Sequence, residues 1–393
     1  MTERLTRQFD FLNEADRLKA VDRANVLIDG TRAENVAEHS WHLALYALVL
    51  ADFAPPGVNT DRAIAMLLLH DLVEIDTGDH PIHLDHDLPA VALAEDAAAA
   101  RIFGLLPEDQ ASTLLALWRE FEAAETPDAR FAKCLDHAQP ILQVLRNPAP
   151  PADHLDVVRD NLATGRAARF RQEWPEFHTL ASALLNGEST SGSDRNLLAC
   201  IDFLAEADKL KSVLRATTLC DGSRCENSGE HSWHLALYAL ALADHAKQAV
   251  DVARVIRMLL LHDLVEIDVG DVPIHSANGL AHGSADTQAK ELAAAERIFG
   301  LLPNALERDL KSFWQEFEAA ETPDAVFAKS LDRVQPVMAN LMSGGGTWVT
   351  YRVTVEQLES RVGAKVARGA PGIWHWVRAQ TAIYFEGAAQ LGQ

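Results

Sequence analysis

The residues of this sequence that could do chemistry are histidines and aspartates placed within apolar, helix-forming segments. His70 and Asp71 are adjacent in MLLLHDLVEID, His39 lies earlier in EHSWHLALYAL, and Asp136 lies later in KCLDHAQPIL. Ionisable groups on apolar helices are costly unless they are paired or bind a metal. Two imidazoles and two carboxylates are donors that a divalent first-row metal accepts from protein, with coordination positions left for water. We therefore predict that these four side chains bind one metal ion.

The same quartet occurs twice in the chain. His231, His262 and Asp263 follow their counterparts by 192 residues, and Asp332 follows its counterpart by 196. EHSWHLALYAL and MLLLHDLVEID recur letter for letter, as does EFEAAETPDA. A repeat of this length predicts two copies of one domain, over residues 1–186 and 197–393. The Gly/Ser-rich polar stretch at 187–196 is predicted to be the linker between them.

The elements that must position these residues are predicted to be helices. Ala, Leu, Glu and Arg dominate, and apolar residues recur at three- and four-residue spacing. We expect one helix over EHSWHLALYALVLADFA and another over DRAIAMLLLHDLVEI, with Asp61 as its N-cap. Residues 77–89 contain Gly and two prolines and should form a loop. No alternating strand is evident, so the predicted fold class is all-α, with two homologous helical bundles in tandem.

Three motifs resemble those of the HD-domain metal-dependent phosphohydrolases, and more narrowly their 5′-deoxynucleotidase branch. They are ENVAEHS from Glu34, LLLHDLVEIDTGD from Leu67 and FAKCLD from Phe131, and the likeness covers nearly all of both copies. The resemblance implies one divalent cation per domain, with Mn, Co, Fe, Ni, Zn and Mg left open. The metal ligands that it implies are His39, His70, Asp71 and Asp136, and His231, His262, Asp263 and Asp332. Related single-copy proteins pair as dimers, so the chain is expected to be a monomer with pseudo-dimeric halves or a homodimer.

Carboxylates close to these ligands are candidates for proton transfer. Glu74 follows His70 by four residues, which places both on the same face of a continuous helix. Hydrolysis of a phosphomonoester needs an activated nucleophile and a proton for the leaving alkoxide. We assign this role to Glu74 and Glu266, with Asp79 and Asp271 in the TGD and VGD turns as the second carboxylates. The sequence leaves open which carboxylate acts as the acid.

Arginines at matched positions are candidates for phosphate binding, because the guanidinium group suits bidentate contact with oxyanions. Arg23 and Arg215 match in LKAVDR and LKSVLR, where the resemblance implies a phosphate-contacting Arg. Arg32 and Arg224 match seven residues before the first ligand, and a surface salt bridge is the alternative for each arginine.

The sequence departs from the family after the first arginine. Some related deoxynucleotidases carry a sugar-sensing Trp there, whereas this chain has Ala24 and Ala216. Strict deoxyribose selectivity is therefore not predicted.

Further histidines have no assigned role. They are His42, His83 and His86 in the first copy and His234, His275 and His282 in the second. The first of each set either lines the cleft or packs against the preceding Trp. The loop pair in each copy could bind a second metal, as in the di-iron HD oxygenases, although their extra ligands usually come from separate helices.

Composition narrows the class of partner. The formal net charge of -22 disfavours binding to a nucleic-acid polymer, while a small anionic substrate is compatible if a local cation offsets the field. The four cysteines form no C-x-x-C pair and are expected to be reduced. No run of about 18 apolar residues occurs, which predicts no membrane span. We expect a cytoplasmic protein.

The sequence therefore predicts a divalent-metal-dependent phosphohydrolase that acts on small phosphorylated metabolites, in first place nucleoside 5′-monophosphates, with a leaning to deoxynucleotides. The chain has no P-loop, HExxH, nucleophile-elbow or dinucleotide-binding motif. Three alternatives stay open. They are another HD-type phosphodiesterase acting on cyclic nucleotides or an alarmone, a di-iron oxygenase, and a catalytically silent nucleotide sensor.

Overall fold

The computed structural model describes residues 2–81, 86–276 and 284–390, the side chains of 388–390 excepted. The helices of the first half are α1 Thr2–Ala15, α2 Val36–Val49, α3 Thr60–Leu69, α4 Glu74–Thr77, α5 Leu88–Phe103, α6 Glu108–Ala123, α7 Pro127–Arg146, α8 Ala152–Ala163, α9 Phe170–Glu173 and α10 Pro175–Asn186. Those of the second half are α11 Arg195–Ala207, α12 Ser228–Leu242, α13 Val252–Leu261, α14 Glu266–Val269, α15 Ala285–Phe299, α16 Asn304–Ala319, α17 Pro323–Met342, α18 Gly346–Thr350, α19 Val355–Leu358, α20 Ala364–Gly369 and α21 Pro371–Gln390. The fold is all-α with two similar halves, as the sequence predicts. The exact domain boundaries stay a prediction.

Each half also contains a two-stranded antiparallel ribbon that the sequence analysis missed. In the first half β1 Asp22–Val26 pairs with β2 Ala33–Asn35, and in the second β3 Leu214–Thr218 pairs with β4 Cys225–Asn227. The register of both pairs is irregular. Strands of three to five residues with an irregular register carry too little alternation for a sequence pattern to reveal them.

The helix expected over DRAIAMLLLHDLVEI is interrupted at the functional residues. Helix α3 ends at Leu69, a turn follows, and α4 begins at Glu74. The indole Nε1 of Trp118 donates to the His70 carbonyl at 2.9 Å. The Glu74 amide, which in a continuous α-helix would donate to this carbonyl, donates to the Asp71 carbonyl. The N-cap of α3 is Asn59 and not Asp61, because the Asn59 side chain accepts from the Arg62 amide.

Helices α2 and α12 form the centre of the molecule and pack against each other. Each begins with a capping box, formed by Asn35 with Glu38 and by Asn227 with Glu230. Every residue of α2 is buried, which is typical of a helix enclosed on all sides. Within the described ranges, no helix has the length and apolar composition needed to span a bilayer.

The two halves interlock through their first helices. Helix α1 packs against α12 of the second half, and α11 packs against α2 of the first. In the first of these contacts the Phe9 ring packs edge-on against Tyr238 with ring centroids 6.0 Å apart, and Gln8 donates to the Ala241 carbonyl at 2.7 Å. The buried apolar residues of the two halves therefore form one continuous hydrophobic core.

Candidate metal centre

The structure brings the four predicted ligands of the first half to one point. His39 comes from α2, His70 and Asp71 from the turn after α3, and Asp136 from α7. His70 Nε2 lies 3.0 Å from Asp71 Oδ2, and His39 Nε2 lies 3.3 Å from Asp136 Oδ1. The remaining nitrogen–oxygen distances, from His39 to Asp71 and from His70 to Asp136, are both 3.9 Å. Donors about 2.1 Å from a shared cation lie about 3 to 4 Å apart, so one ion fits between these atoms.

The second half repeats this arrangement with His231, His262, Asp263 and Asp332. His262 Nε2 lies 3.1 Å from Asp263 Oδ1, and His231 Nε2 lies 3.2 Å from Asp332 Oδ1. Ligand atoms of His231, His262 and Asp263 all lie within 4.8 Å of one another. The structure therefore places eight of the predicted site residues in two clusters of four.

Hydrogen bonds fix the tautomer of His70 and His262 and show that a cation fits. Nδ1 of His70 lies 2.8 Å from the Leu67 carbonyl, and Nδ1 of His262 lies 2.8 Å from the Leu259 carbonyl. Since a carbonyl only accepts, each Nδ1 carries a proton, which in the neutral imidazole leaves the lone pair on Nε2. Both Nε2 atoms are buried and have no hydrogen-bond partner among the described residues. A lone pair that faces carboxylate oxygens needs a cation between them, and a metal supplies one.

The first histidine of each site is oriented by a glutamine. The Gln139 amide nitrogen lies 3.2 Å from Glu34 Oε1 and 2.7 Å from Gln143 Oε1, so the Gln139 oxygen accepts from His39 Nδ1 at 3.1 Å. His39 therefore also turns an unprotonated Nε2 toward the carboxylates. In the second half Gln335 holds His231 at the same distance.

One arginine of each half lies beside the ligand cluster. Arg23 on β1 places Nη1 3.2 Å from Asp71 Oδ2 and 3.9 Å from Asp79 Oδ1, with Nε 3.7 Å from Glu34 Oε2. The Ala24 amide donates to Asp79 at 3.4 Å. The ribbon and the TGD turn therefore bring a guanidinium group and a second carboxylate to the first site.

The matching arginine in the second half contacts the counterparts of the same three carboxylates and, in addition, Glu266. Arg215 Nη1 lies 2.7 Å from Asp263, 3.7 Å from Glu266 and 3.8 Å from Asp271. Its side chain is only 10% exposed. Both arginines can therefore present positive charge to an anion held at the cluster.

The carboxyl groups of each site divide into two kinds. Burial raises the pKa of Glu74 well above its ordinary value, and the charges of Asp71 and Asp79 raise it further against the opposing effect of Arg23. Burial and Asp263 raise the pKa of Glu266 in the same way. For Asp136, burial works against ionisation, but His39 and His70 hold its pKa well below the usual range. Each site thus contains anionic aspartates next to a glutamic acid that favours its protonated form.

The structure does not bring Arg32 and Arg224 into these clusters. Arg32 donates to Glu38 at 3.0 Å and to the Lys211 carbonyl of the other half at 2.7 Å. Arg224 donates to Glu230 at 3.0 Å and to the Lys19 carbonyl at 2.6 Å. The predicted substrate-binding role is therefore corrected, because these guanidinium groups join the two halves.

The structure shows the place of some of the histidines for which the sequence predicts no role. His42 Nε2 donates to the Leu204 carbonyl at 2.9 Å and its ring stacks on Trp41, so it packs in the core and does not line the cleft. His234 does the same with Leu12 and Trp233. His83 and His282 lie outside the described residues, and the second metal stays a prediction.

Four charged residues that surround the sites were not among the predicted site residues. Glu34 and Glu226 contact the site arginines and histidines, and Lys19 and Lys211 contact those glutamates. The available signal was the repeat itself, since all four recur at matched places in ENVAEH and ENSGEH and in LKAV and LKSV.

A cavity of about 410 Å³ opens onto the cluster of the second half. Its lining includes Arg215, Asp263, Glu266 and Asp271 of the site. The C-terminal part of the chain contributes Trp348, Tyr351 and Lys365, among other residues, to the same lining. Volumes of about 300 to 1,000 Å³ are typical of small-molecule sites, so a small metabolite fits here.

Comparison with known proteins finds the same family profile in both halves. The profile of a family described as HD domain matches residues 15–178 and 207–374. The 5′-deoxynucleotidase HDDC2 of Homo sapiens is 35% identical over 136 residues, which is 34% of this chain and 64% of that protein. The 5′-deoxynucleotidase yfbR of Photorhabdus temperata is 26% identical over 178 residues, which is 43% of this chain and 89% of that protein. The chain thus spans slightly less than two thirds of the human relative.

A solved structure also resembles this chain. It is the crystal structure of a predicted metal-dependent phosphohydrolase from Magnetospirillum magnetotacticum MS-1. Its sequence is 43% identical, and the superposition covers 49% of this chain and 93% of that one with a TM-score of 0.46.

Proposed function

The chain belongs to the HD-domain family, with one matched region in each half, and from this premise we propose that each half is a divalent-metal-dependent phosphohydrolase. The proposed substrates are small phosphorylated metabolites, in first place nucleoside 5′-monophosphates, with a leaning to deoxynucleotides. The names of the relatives support this class of substrate. The observation that carries the proposal is the pair of imidazole lone pairs that face two carboxylates beside a largely buried arginine.

The proposed metal ligands are the eight residues of the two clusters. They are His39, His70, Asp71 and Asp136, and His231, His262, Asp263 and Asp332. A divalent ion bound there would supply a water of lowered pKa and would offset the charge of the phosphate. Nitrogen and oxygen donors of this kind accept Mn, Co, Fe, Ni, Zn or Mg, and metal analysis of unstripped protein identifies the native ion.

The other site residues act on the phosphate and on the leaving group. Arg23 and Arg215 bind phosphate oxygens through the guanidinium group, while Asp79 and Asp271, the proposed second carboxylates for proton transfer, lie within 4 Å of that group and help to hold it in place. Glu74 and Glu266 donate a proton to the leaving alkoxide, a role that suits a carboxyl group whose pKa is raised by burial. The nucleoside part occupies the cavity that leads outward from the cluster.

The interlocked halves support a monomer in which the tandem repeat forms an internal pair. Each central helix already packs against its counterpart, and each first helix already lies on the other half. A second chain is therefore not needed to complete this packing. Size measurement of the purified protein tests this assignment.

A substrate screen tests the proposed function. Purified protein with its native metal is assayed for phosphate release from ribo- and deoxynucleoside 5′-monophosphates, cyclic nucleotides and guanosine tetraphosphate. We expect the protein to release phosphate from nucleoside 5′-monophosphates. We expect the double substitution Glu74→Gln with Glu266→Gln to abolish this release. Turnover of cyclic nucleotides or the tetraphosphate alone would favour a phosphodiesterase. Two irons per half with oxygen uptake would favour an oxygenase, and nucleotide binding without turnover of any substrate would favour a sensor.

A further inference from the structure

We propose that Lys19 and Lys211 are positioning residues that act across the two halves. Each lysine fixes the buried glutamate that orients the arginine and the first histidine of the opposite site. Only the catalytic readout of this inference rests on the proposed function. Its geometric basis is a set of contacts within the chain.

Lys211 belongs to the second half, yet its ammonium group lies within the first. Nζ is 2.7 Å from Glu34 Oε1 and 2.9 Å from His42 Nδ1, and it also donates to Asp208. The Lys211 side chain is fully buried. An ammonium group has three protons, and these three acceptors satisfy all of them.

The His42 tautomer is set so that it accepts from this lysine. Nε2 of His42 donates to the Leu204 carbonyl, which leaves Nδ1 unprotonated. Burial lowers the pKa of His42 well below its ordinary value, and Lys211 lowers it further. The carboxylates of Glu34 and Asp208 and the imidazole of His42 would by themselves resemble a metal site. The ammonium group already occupies the space between them, so this cluster holds a lysine.

Glu34 connects Lys211 to the first metal centre. Its Oε1 accepts from Lys211 and from the Gln139 amide, and its Oε2 lies 3.7 Å from both Arg23 Nε and His39 Nδ1. Gln139 in turn accepts from His39 Nδ1. A residue of the second half therefore determines where the glutamate, the glutamine and the histidine of the first half lie.

Lys19 makes the reciprocal connection. Its Nζ lies 2.5 Å from Asp16 Oδ1, 3.0 Å from Glu226 Oε2 and 3.2 Å from His234 Nδ1. Glu226 Oε1 lies 3.6 Å from Arg215 Nε and 3.4 Å from His231 Nδ1. The same device thus occurs twice with the two halves exchanged.

This exchange gives a reason for the interlocked packing. Each lysine lies in the short 3₁₀ helix that directly follows the first helix of its own half, and that first helix packs on the central helix of the other. A buried glutamate left without its counter-charge is costly, so each site depends on the other half being folded. Residues outside the ligand shell that orient metal ligands typically change affinity or activity by about 10- to 100-fold when they are removed.

A crossed mutational experiment tests the proposal in the full chain. Asp263→Ala removes a ligand of the second site, so that binding of Co²⁺ and phosphate release report on the first site. In this background we expect Lys211→Met to change the visible spectrum of bound Co²⁺ and to lower Co²⁺ affinity and kcat/KM about 10-fold or more. Lys19→Met is the matched control, because it removes an equally buried lysine whose contacts serve the silenced half. In the Asp71→Ala background, which reports on the second site, the effects of the two variants should exchange.

A double-mutant cycle separates positioning from general destabilisation. If Lys211 acts through Glu34, Lys211→Met causes little further loss in a Glu34→Gln chain. If Lys211→Met does not fold, Lys211→Gln, which keeps a donor for Glu34, is measured instead, and the same crossed pattern is expected. Equal effects of both lysine variants on one site, or no effect of either, would overturn the proposal. Co²⁺ binding without turnover of any phosphate ester would reject the proposed function while the Co²⁺ spectrum still tests the lysines.

Discussion

The hydroxyl group of Ser228 donates a hydrogen bond to Glu266 Oε2 in the second site. Val36 stands at the matched position of the first half, 192 residues earlier. Within the described part of the chain, Oε2 of Glu74 is buried without a hydrogen-bond partner. The two sites therefore differ at the proposed proton donor, although their ligand clusters match.

This difference predicts distinct pH profiles for the two halves. A donor is active when protonated, so activity falls as pH rises through the pKa of the glutamate. The Ser228 hydroxyl stabilises the carboxylate form and lowers the pKa of Glu266 against the larger effect of burial. Ser228→Val should move the loss of activity of the second half at alkaline pH to a higher pH. Val36→Ser should move the corresponding loss of activity of the first half to a lower pH. The measurement is kcat against pH with the other half silenced. Unchanged pH profiles, or profiles that move the other way, would contradict the assignment of Glu74 and Glu266 as donors.

Replacing the proposed proton donors one at a time tests whether both halves turn over. Loss of a general acid lowers the rate by about 10²- to 10⁴-fold at the affected site. Glu74→Gln and Glu266→Gln should each remove only part of the phosphate release of the chain, and the double variant should remove nearly all of it. Exposed Glu188→Gln is the control. Complete loss from one single substitution would show that only one half is active.

The number of bound ions should follow the ligand clusters. We expect the unstripped protein to contain about two divalent ions, one for each His₂Asp₂ cluster. Asp136→Ala and Asp332→Ala should each reduce this to about one, as measured by elemental analysis after gel filtration. Asp153→Ala, at an exposed carboxylate away from both clusters, should leave the metal content unchanged. Retention of both ions in the Asp136 and Asp332 variants would place the metal elsewhere.

The two arginines of the first half should respond differently to substitution. Arg23 lies beside the cluster, and loss of a charge-assisted bond to phosphate should raise KM about 10- to 100-fold in Arg23→Ala. Arg32 pairs with Glu38 at the junction of the halves, where its side chain is 41% exposed. Arg32→Ala should therefore lower the free energy of unfolding by about 1 kcal/mol, with solvent screening taken into account, and leave KM unchanged. Steady-state kinetics with urea unfolding separates the two results, and a raised KM in Arg32→Ala would restore its predicted substrate role.

Much of this protein could be predicted from the local pattern. Helical periodicity and the repeat predicted two all-α halves, and matched histidines and aspartates in apolar segments identified the residues that the structure brings together. The turn at His70 could not be predicted, because the apolar spacing of DRAIAMLLLHDLVEI continues through it and the contacts made there, such as that of the Trp118 indole, come from residues distant in sequence. The ribbons were missed for a related reason, since strands this short are stabilised mainly by their pairing and by the helices beside them.

The sequence by itself determined which side chains can bind a metal, because residue type and helical spacing are local properties that a repeated segment displays twice. Only the tertiary structure decided that Arg32 joins the halves and that Arg23 lies at the site. It alone also decided that Lys19 and Lys211 reach the opposite half. The physical reason is that a long, charged side chain has no preferred partner until packing excludes water and leaves one buried group of opposite charge within reach.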